Sequence, residues 1–383
     1  MPFPVTYLLD RTAPSETFIR RELDQLRRRN WPIFTRLLND GVNALKFSLA
    51  SCPAEFRWRF FKASCARLLS ELPRAPIAAC RILNRLPQAA HLIKKVNDTE
   101  SRLIHSQFCG ITADLAAIAA YATQIPWTCS VHARDVFTVS PRTLHRRLCT
   151  AAGVTACSQQ AADAVLAAGI PPEKVFLIHH GLPFNDFTFD TIQPDGVILS
   201  ASRLEKKKGV DTLLQACDLL LKRGLRFTCV IAGMGSCRKD LGELCRRLGL
   251  EQTVFFTGWQ SQEETLIRMK DATVLALPSR CMPNGDRDGI ANILVEAMAL
   301  GTPVVTTTAS AAREVITDNV NGLLVPPDDP TALAEALANA LTSKELLLRL
   351  AKAGRKTAEE LFDGSKNICQ LEAFFKRVAE PPA

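Results

Sequence analysis

Strand-like and helix-like patterns alternate through both halves of the chain. This predicts an α/β protein of two doubly wound parallel-sheet, Rossmann-like domains facing a cleft. Three observations carry the prediction. At 383 residues the chain is long for one domain. Short apolar runs recur at residues 5–9, 104–108, 127–131, 154–158 and 175–178, and again at 197–201, 227–232, 254–256, 272–277 and 304–305, with helical patterns between them. Residues 184–196 carry Asn, Asp and Pro with little periodicity and read as a linker between the halves. The expected domains are residues 1–185 and 186–361, followed by a terminal helix in 362–383.

Taken in order, residues 5–9 read as a buried strand, and Pro14 breaks the pattern before a helix whose inner face is Ile19, Leu23 and Leu26. Ser15 suits its N-cap. Glu16 and Thr17 follow, either at the cleft or as a plain capped helix start. Residues 44–97 are harder to read. Phe56, Trp58, Phe60 and Phe61 interleave with Arg57, Arg59 and Lys62, which fits a helix lying on an anionic membrane surface or a pair of ordinary surface helices. The strand at 127–131 ends at His132, where open parallel sheets bind ligands; His105 reads as a packing residue.

In the second half, the strand at 197–201 runs into Arg203 and the lysine run Lys206-Lys207-Lys208 before Gly209. Two fixed cations beside a helix start match a diphosphate, with Arg able to grip two oxygens. Lys206 and Lys207 are expected to be solvated. The Gly233-Met234-Gly235 turn lacks the full dinucleotide fingerprint. Residues 278–307 then read as strand end, polar loop, helix from about Gly289, and a further strand. Asp288 and Glu296 are eight residues apart, so a helix starting at Gly289 turns both toward one ligand. The amides at that start make an anion site. A phosphate flanked by sugars fits this pattern.

Here the chain resembles the family-4 retaining glycosyltransferases of GT-B fold. Their mark is Glu, seven residues, Glu, then a small or apolar stretch, Gly and Pro-Val; this chain reads DGIANILVEAMALGTPVV, with Asp288 in the first acidic place and Glu296 in the second. The Asp form and the wording from Ser15 to Ile19 are similar to bacterial exopolysaccharide and lipopolysaccharide enzymes. The family's glycine-rich turn after the first strand is missing. The resemblance implies transfer of a hexose-type sugar from a nucleotide-diphosphate sugar, with retention, to a saccharide or lipid-linked saccharide. It implies that Arg203 and Lys208 neutralise the leaving diphosphate, aided by amides around Gly289, Ile290, Ala291 and Asn292. Asp288 would take donor-sugar hydroxyls, Glu296 the ribose, and His132, in a His-Ala-x-Asp run, the sugar from the other domain. Gly233 would lie against the donor phosphates or form a tight corner. No cofactor and no metal are expected beyond the donor, since Lys and Arg act as the cation. The last helix would cross back onto the first domain.

Composition narrows the alternatives. With 47% apolar and 22% charged residues the chain builds ordinary cores. No apolar run reaches the ~18 residues of a membrane span, and the first nine residues have no basic start, so a cytoplasmic protein, peripheral on the membrane at most, is expected. Thirteen scattered cysteines without a Cys-x-x-Cys pair fit reduced thiols, and the six histidines show no metal-ligand spacing. Residues 1–100 hold 17 Lys/Arg against 9 Asp/Glu, as large an excess as the +8 of the whole chain. That points to an acidic partner, a membrane face or lipid diphosphate, and not to nucleic acid, since no recognition module accompanies it. A nucleotide-sugar epimerase of the same fold and a non-catalytic sugar-nucleotide binder stay open. The first would change the donor without an acceptor, and the second would bind it without turnover.

Overall fold

The computed structural model describes residues 1–9, 17–37, 54–71, 80, 82–189 and 195–380. They fall into two compact units, Met1–Gly181 with Ser365–Ala383, and Leu182–Gly364. In the first unit β1 (Val5–Leu9), β2 (Ile33–Leu37), β3 (Leu103–Gln107), β4 (Trp127–Val131), β5 (Gly153–Ala156) and β6 (Val175–Leu177) form one sheet, ordered β2-β1-β3-β4-β5-β6. All its pairings are parallel. Parallel neighbours need crossovers, which helices supply. They are α1 (Thr17–Arg28), α2 (Ala54–Glu71), α3 (Leu86–Asp98), α4 (Ile111–Thr123), α5 (Ala133–Phe137), α6 (Pro141–Leu148) and α7 (Gln159–Ala167). Every residue of β1, β3 and β4 is buried, as expected of a sheet covered on both faces.

The second unit repeats the plan. Its strands are β7 (Val197–Ala201), β8 (Thr228–Ala232), β9 (Val254–Gly258), β10 (Val274–Leu277), β11 (Val304–Thr307) and β12 (Leu323–Val325), in the order β12-β11-β10-β7-β8-β9. Its helices are α8 (Val210–Lys222), α9 (Arg238–Arg247), α10 (Gln262–Asp271), α11 (Asn292–Leu300), α12 (Pro330–Thr342) and α13 (Lys344–Leu361). The final helix, α14 (Gly364–Ala379), belongs with the first unit. Its Leu371, Phe374 and Phe375 share a buried cluster with Tyr7, Leu26 and Trp31. A side chain on Gly153 at the start of β5 would come within 2.5 Å of the Phe374 ring, so only glycine fits under this helix.

Each strand order reverses once, between β1 and β3 in the first sheet and between β7 and β10 in the second. At such a point neighbouring crossovers leave on opposite faces and open a crevice at the strand ends, which is where open α/β sheets bind ligands. In the second sheet the strands at the reversal lead to Lys208 and Asp288; in the first, His132 follows β4, one strand along from the reversal.

Some expectations shift. The supposed linker is packed at its start: Phe184–Asp186 form a 3-10 turn, and Leu182 and Phe187 are buried in the second unit's core. α13 is an additional helix the periodicity reading passed over. Glu16 and Ser15 lie outside the described residues, as do 38–53 and 72–79 within the poorly legible region.

Candidate active site

Two sets of side chains stand at these strand ends, one in each unit. In the second unit, β7 runs into Ser202-Arg203-Leu204-Glu205 and a 3-10 turn at Lys206–Lys208; β10 runs into the loop ending at Asp288. The loops are tied by the Arg280 amide donating to the Lys207 carbonyl at 2.8 Å. Lys208 Nζ donates to Asp288 Oδ2 at 2.7 Å, and Ser279 Oγ donates to the same oxygen at 2.7 Å. Lys207 Nζ donates to Asp286 Oδ1 at 3.0 Å and lies 3.9 Å from Asp288 Oδ1. Burial pushes the Asp288 carboxyl up, but Lys208, the Lys208 and Ser279 hydrogen bonds and Lys207 outweigh it and hold the group below its ordinary value. Asp288 is therefore a carboxylate near neutral pH. Beneath this network Arg280 Nη2 donates to Asp211 Oδ1 and Thr212 Oγ1, bracing the loop against α8.

Two sequence expectations are corrected here. Lys207 is not solvated: it is buried and shared between Asp286 and Asp288, while Lys206 is exposed. In the one 3-10 turn, neighbouring residues point in different directions, and only Lys206 faces out. The helix begins at Asn292, not near Gly289, so the two-turn spacing does not relate Asp288 to Glu296. Asp288 is a loop residue positioned by lysines, and Glu296 is a buried residue within α11. Gly289 and Ile290 precede the helix, Ile290 packing into the core, and Ala291 is its N-cap residue. The helix-start amides thus begin at Asn292.

Arg203 is exposed and pairs with Glu205 at 2.7 Å. Gly233, at φ 136°, packs so closely that a side chain would sit 1.8 Å from the Ser202 carbonyl oxygen. Its amide donates to Gly258 O at 2.7 Å, so it forms the corner that lets the β7 and β8 loops touch.

In the first unit His132 ends β4 and caps α5. Its amide donates to Asp135 Oδ2 at 2.9 Å, which explains the His-Ala-x-Asp run: an acid three residues on closes the helix start and fixes the histidine backbone. Burial lifts the Asp135 carboxyl to about 6. The His132 ring lies among Phe18, Phe108 and His180, with centroids 5.1, 4.6 and 5.3 Å away. Burial first, then His180 and His105, hold it well below its ordinary pKa, so the ring is neutral. Its Nε2 lies 3.3 Å from Gln107 Oε1, and Gln107 Nε2 donates to Glu22 Oε1 at 2.7 Å. Tyr7 donates to the same Glu22 oxygen at 3.3 Å, yet burial still raises Glu22 to about 7. A small pocket opens here, lined by Glu22, Gln107, Ser130, His132, Cys157 and His180 among others. Thr17 is the half-buried first residue of α1; its neighbour Phe18 makes the ring contacts. His105 is fully buried, with Thr128 at 2.8 Å and Ser130 at 3.0 Å, a packing role.

Sequence reasoning missed Glu22, Gln107, Cys157 and His180 in the first unit and Ser279 in the second. Parallel strand ends lie side by side while their residues are far apart in sequence, so no local spacing marks them. Lys207 and Asp286 were in view; the sign that they pair is that each immediately precedes or nearly precedes a member of the Lys208–Asp288 pair.

Known proteins resemble this chain in sequence and in fold. A model described as glycosyl transferases group 1 matches residues 185–357, and one described as glycosyltransferase family 4 matches residues 51–185. The chain is 32% identical to the amylovoran biosynthesis glycosyltransferase AmsK of Erwinia amylovora over 56% of its own length and 54% of that protein. It is 35% identical to WcaL of Salmonella typhimurium, a protein named for colanic acid biosynthesis, over 44% of its length and 43% of the relative. The chain thus spans about half the length of the curated relatives it matches. The structure superposes on that of Anabaena HepE in complex with UDP-glucose with a TM-score of 0.74 at 20% identity, covering 98% of this chain and 99% of the other. The two models adjoin at residue 185 and together span residues 51–357: the chain matches glycosyltransferase family 4 before that point and glycosyl transferases group 1 after it, and the whole carries the GT-B fold.

Proposed function

We propose that the chain transfers a hexose-type sugar, with retention, from a nucleotide-diphosphate sugar to a saccharide or lipid-linked saccharide in cell-surface polysaccharide synthesis. The observation that carries this reading is the Lys208–Asp288–Ser279 cluster at the reversal of the second sheet. A lysine ammonium has three donors. One goes to Asp288, which fixes the cation in place and leaves donors for phosphate oxygens. Arg203, exposed on the same loop, supplies a planar second grip. Charge that builds on a departing diphosphate is stabilised most by cations already in position. Asp288 takes sugar hydroxyls through its accepting oxygens, and Glu296 the ribose. The amides from Asn292 onward add donors to the diphosphate.

His132 acts on the sugar as a neutral imidazole, able to donate or accept a hydrogen bond but not to carry a positive charge toward an electron-poor sugar carbon. In a front-face transfer the acceptor oxygen bonds to the sugar carbon as the bond to phosphate breaks, and the leaving phosphate takes the acceptor proton. No protein carboxylate is then needed as nucleophile, and no metal is needed to hold the diphosphate.

The α2 surface supports a membrane-bound acceptor. Trp58 and Phe61 are 65% and 60% exposed, their rings 6.2 Å apart, with Arg57 and Lys62 exposed beside them. Aromatic rings flanked by cations suit an anionic interface. Among the described residues no helix is long and apolar enough to cross a membrane.

The first test is thermal shift with UDP-, GDP- and ADP-sugars on wild type and on Lys208→Ala. One donor is expected to raise the melting temperature, with the gain lost in the variant, because a ligand stabilises the state it binds. That donor then enters an acceptor search. Conversion of the donor without an acceptor would make the protein an epimerase, and binding without turnover on any acceptor would make it a binding protein. Absence of co-sedimentation with anionic liposomes, or equal binding by Trp58→Ala/Phe61→Ala, would remove the membrane arm.

A further inference from the structure

We propose that the first unit carries a zinc-binding site formed by His132, Cys157 and His180. Each residue lies at or just beyond the C-terminal end of one of three adjacent parallel strands: β4 ends at Val131, β5 at Ala156 and β6 at Leu177. The sheet therefore gathers one imidazole, one thiol and a second imidazole that are widely separated along the chain. One ligand atom from each lies within 4.8 Å of the others, and His132 Nδ1 is 4.0 Å from Cys157 Sγ. In a tetrahedral zinc site with Zn–S near 2.3 Å and Zn–N near 2.0–2.1 Å, the S···N separation is about 3.6 Å, so small side-chain movements close the gap.

The surroundings orient the first imidazole for this role. Gln107 directs its amide nitrogen to Glu22, which turns its oxygen toward His132 Nε2 at 3.3 Å. An amide oxygen accepts, so Nε2 carries the hydrogen and Nδ1 presents its lone pair toward Cys157 Sγ. A ligand histidine held by a hydrogen bond through its other nitrogen is the usual outer support of a metal site. The second imidazole is held differently: the His180 ring stacks on Phe18 at 4.1 Å and 11°. Two nitrogens and a soft sulfur favour zinc over magnesium or calcium. Three protein ligands leave a fourth position open on the pocket side.

A metal here occupies the Nδ1 of the histidine assigned to the donor sugar, so zinc and sugar transfer compete. That consequence, unlike the site itself, rests on the role proposed for His132.

The test uses the full chain, stripped with a chelator and titrated with Co2+ as a spectroscopic stand-in and with Zn2+ against a chromophoric chelator. One equivalent of cobalt is expected to give thiolate-to-cobalt absorption. That absorption disappears in Cys157→Ser and persists in Cys281→Ser, whose cysteine is exposed and remote in sequence. His180→Ala is expected to weaken zinc binding at least tenfold, with the fold checked by circular dichroism. Absorption that survives Cys157→Ser, or that Cys281→Ser removes, overturns the site. With transfer measured, zinc is expected to slow wild type at least tenfold and Cys157→Ser much less. Bound zinc with an unchanged rate would keep the site but overturn the competition, and with it the role of His132. A His132 role that fails on its own would show instead as His132→Ala keeping full transfer without zinc.

Discussion

The two units share a plan, six parallel strands with one reversal, but their strand ends are built from opposite materials. In the second unit the crevice is ionic, with Lys207 and Lys208 locked onto Asp286 and Asp288. In the first it is aromatic and neutral, with His132 enclosed by Phe18, Phe108 and His180 and a carboxyl, Glu22, raised to about 7 by burial. A diphosphate needs fixed charge, while a sugar ring needs apolar faces and single hydrogen bonds. One scaffold thus carries both chemistries, by changing the residues on the loops, helix starts and strand ends around each crevice.

Acidity separates the two ends as well. A carboxyl whose folded pKa is raised binds more protons folded than unfolded, so Glu22, about 7 against an ordinary ~4.3, and Asp135, about 6 against ~3.9, lower stability as pH rises through those windows. Asp288 is depressed, so its contribution is full above the ordinary carboxylate pKa and is lost as pH falls through the folded value.

Five substitutions test this contrast. Lys208→Ala is expected to act most strongly: turnover falls by about 10²–10³, the loss found when one preorganised donor is removed. It also lowers stability, since Asp288 keeps its burial but loses its nearest cation. Nearly normal turnover would show that the ionic end is structural only. Phe375→Ala empties a fully buried site against Tyr7, Trp31 and His105. It should cost about 3–5 kcal/mol in denaturant unfolding, confined to the first unit. Lys207→Ala should destabilise the second unit by about 1–3 kcal/mol, because Asp286 loses its lysine and Asp288 keeps only Lys208 as a cation, whereas Lys206→Ala should stay within about 0.5 kcal/mol. Equal effects would mean the two lysines are equivalent. The smallest change is Glu22→Gln, read as the melting temperature against pH. The variant gains on wild type at pH 8, where the wild-type carboxylate is ionised and buried, and matches it at pH 5. A gain at pH 5 as large as at pH 8 would remove the burial explanation.

Much of this was legible in the sequence because apolar strand patterns and helix periodicity are local. Thus β1, β4, β7 and β11 were expected close to where they stand. The lysine loop and the acidic loop were legible because a known pattern links them. Which lysine turns inward was not, because the direction of a residue in a 3-10 turn depends on its partners, Asp286 and Asp288, some 80 residues away. The start of α11 was misplaced for a similar reason. An acid such as Asp288 suits a helix start, but Lys208 and Ser279 hold it in the loop. Cys157 and His180 acquire meaning only when β4, β5 and β6 align.

α14 closes the first unit from beyond the second in the chain. Its Glu372 grips Arg29 Nε at 2.6 Å, and Phe374 covers Gly153. During synthesis the second unit, a continuous stretch, can complete its sheet while the first still waits for its final helix. The first unit must then persist half-covered, with Tyr7, Trp31 and Phe176 short of their cover, until α14 emerges behind the second unit. Chaperone dependence and sensitivity to premature stop codons should therefore fall on the amino-terminal half, even though that half is made first.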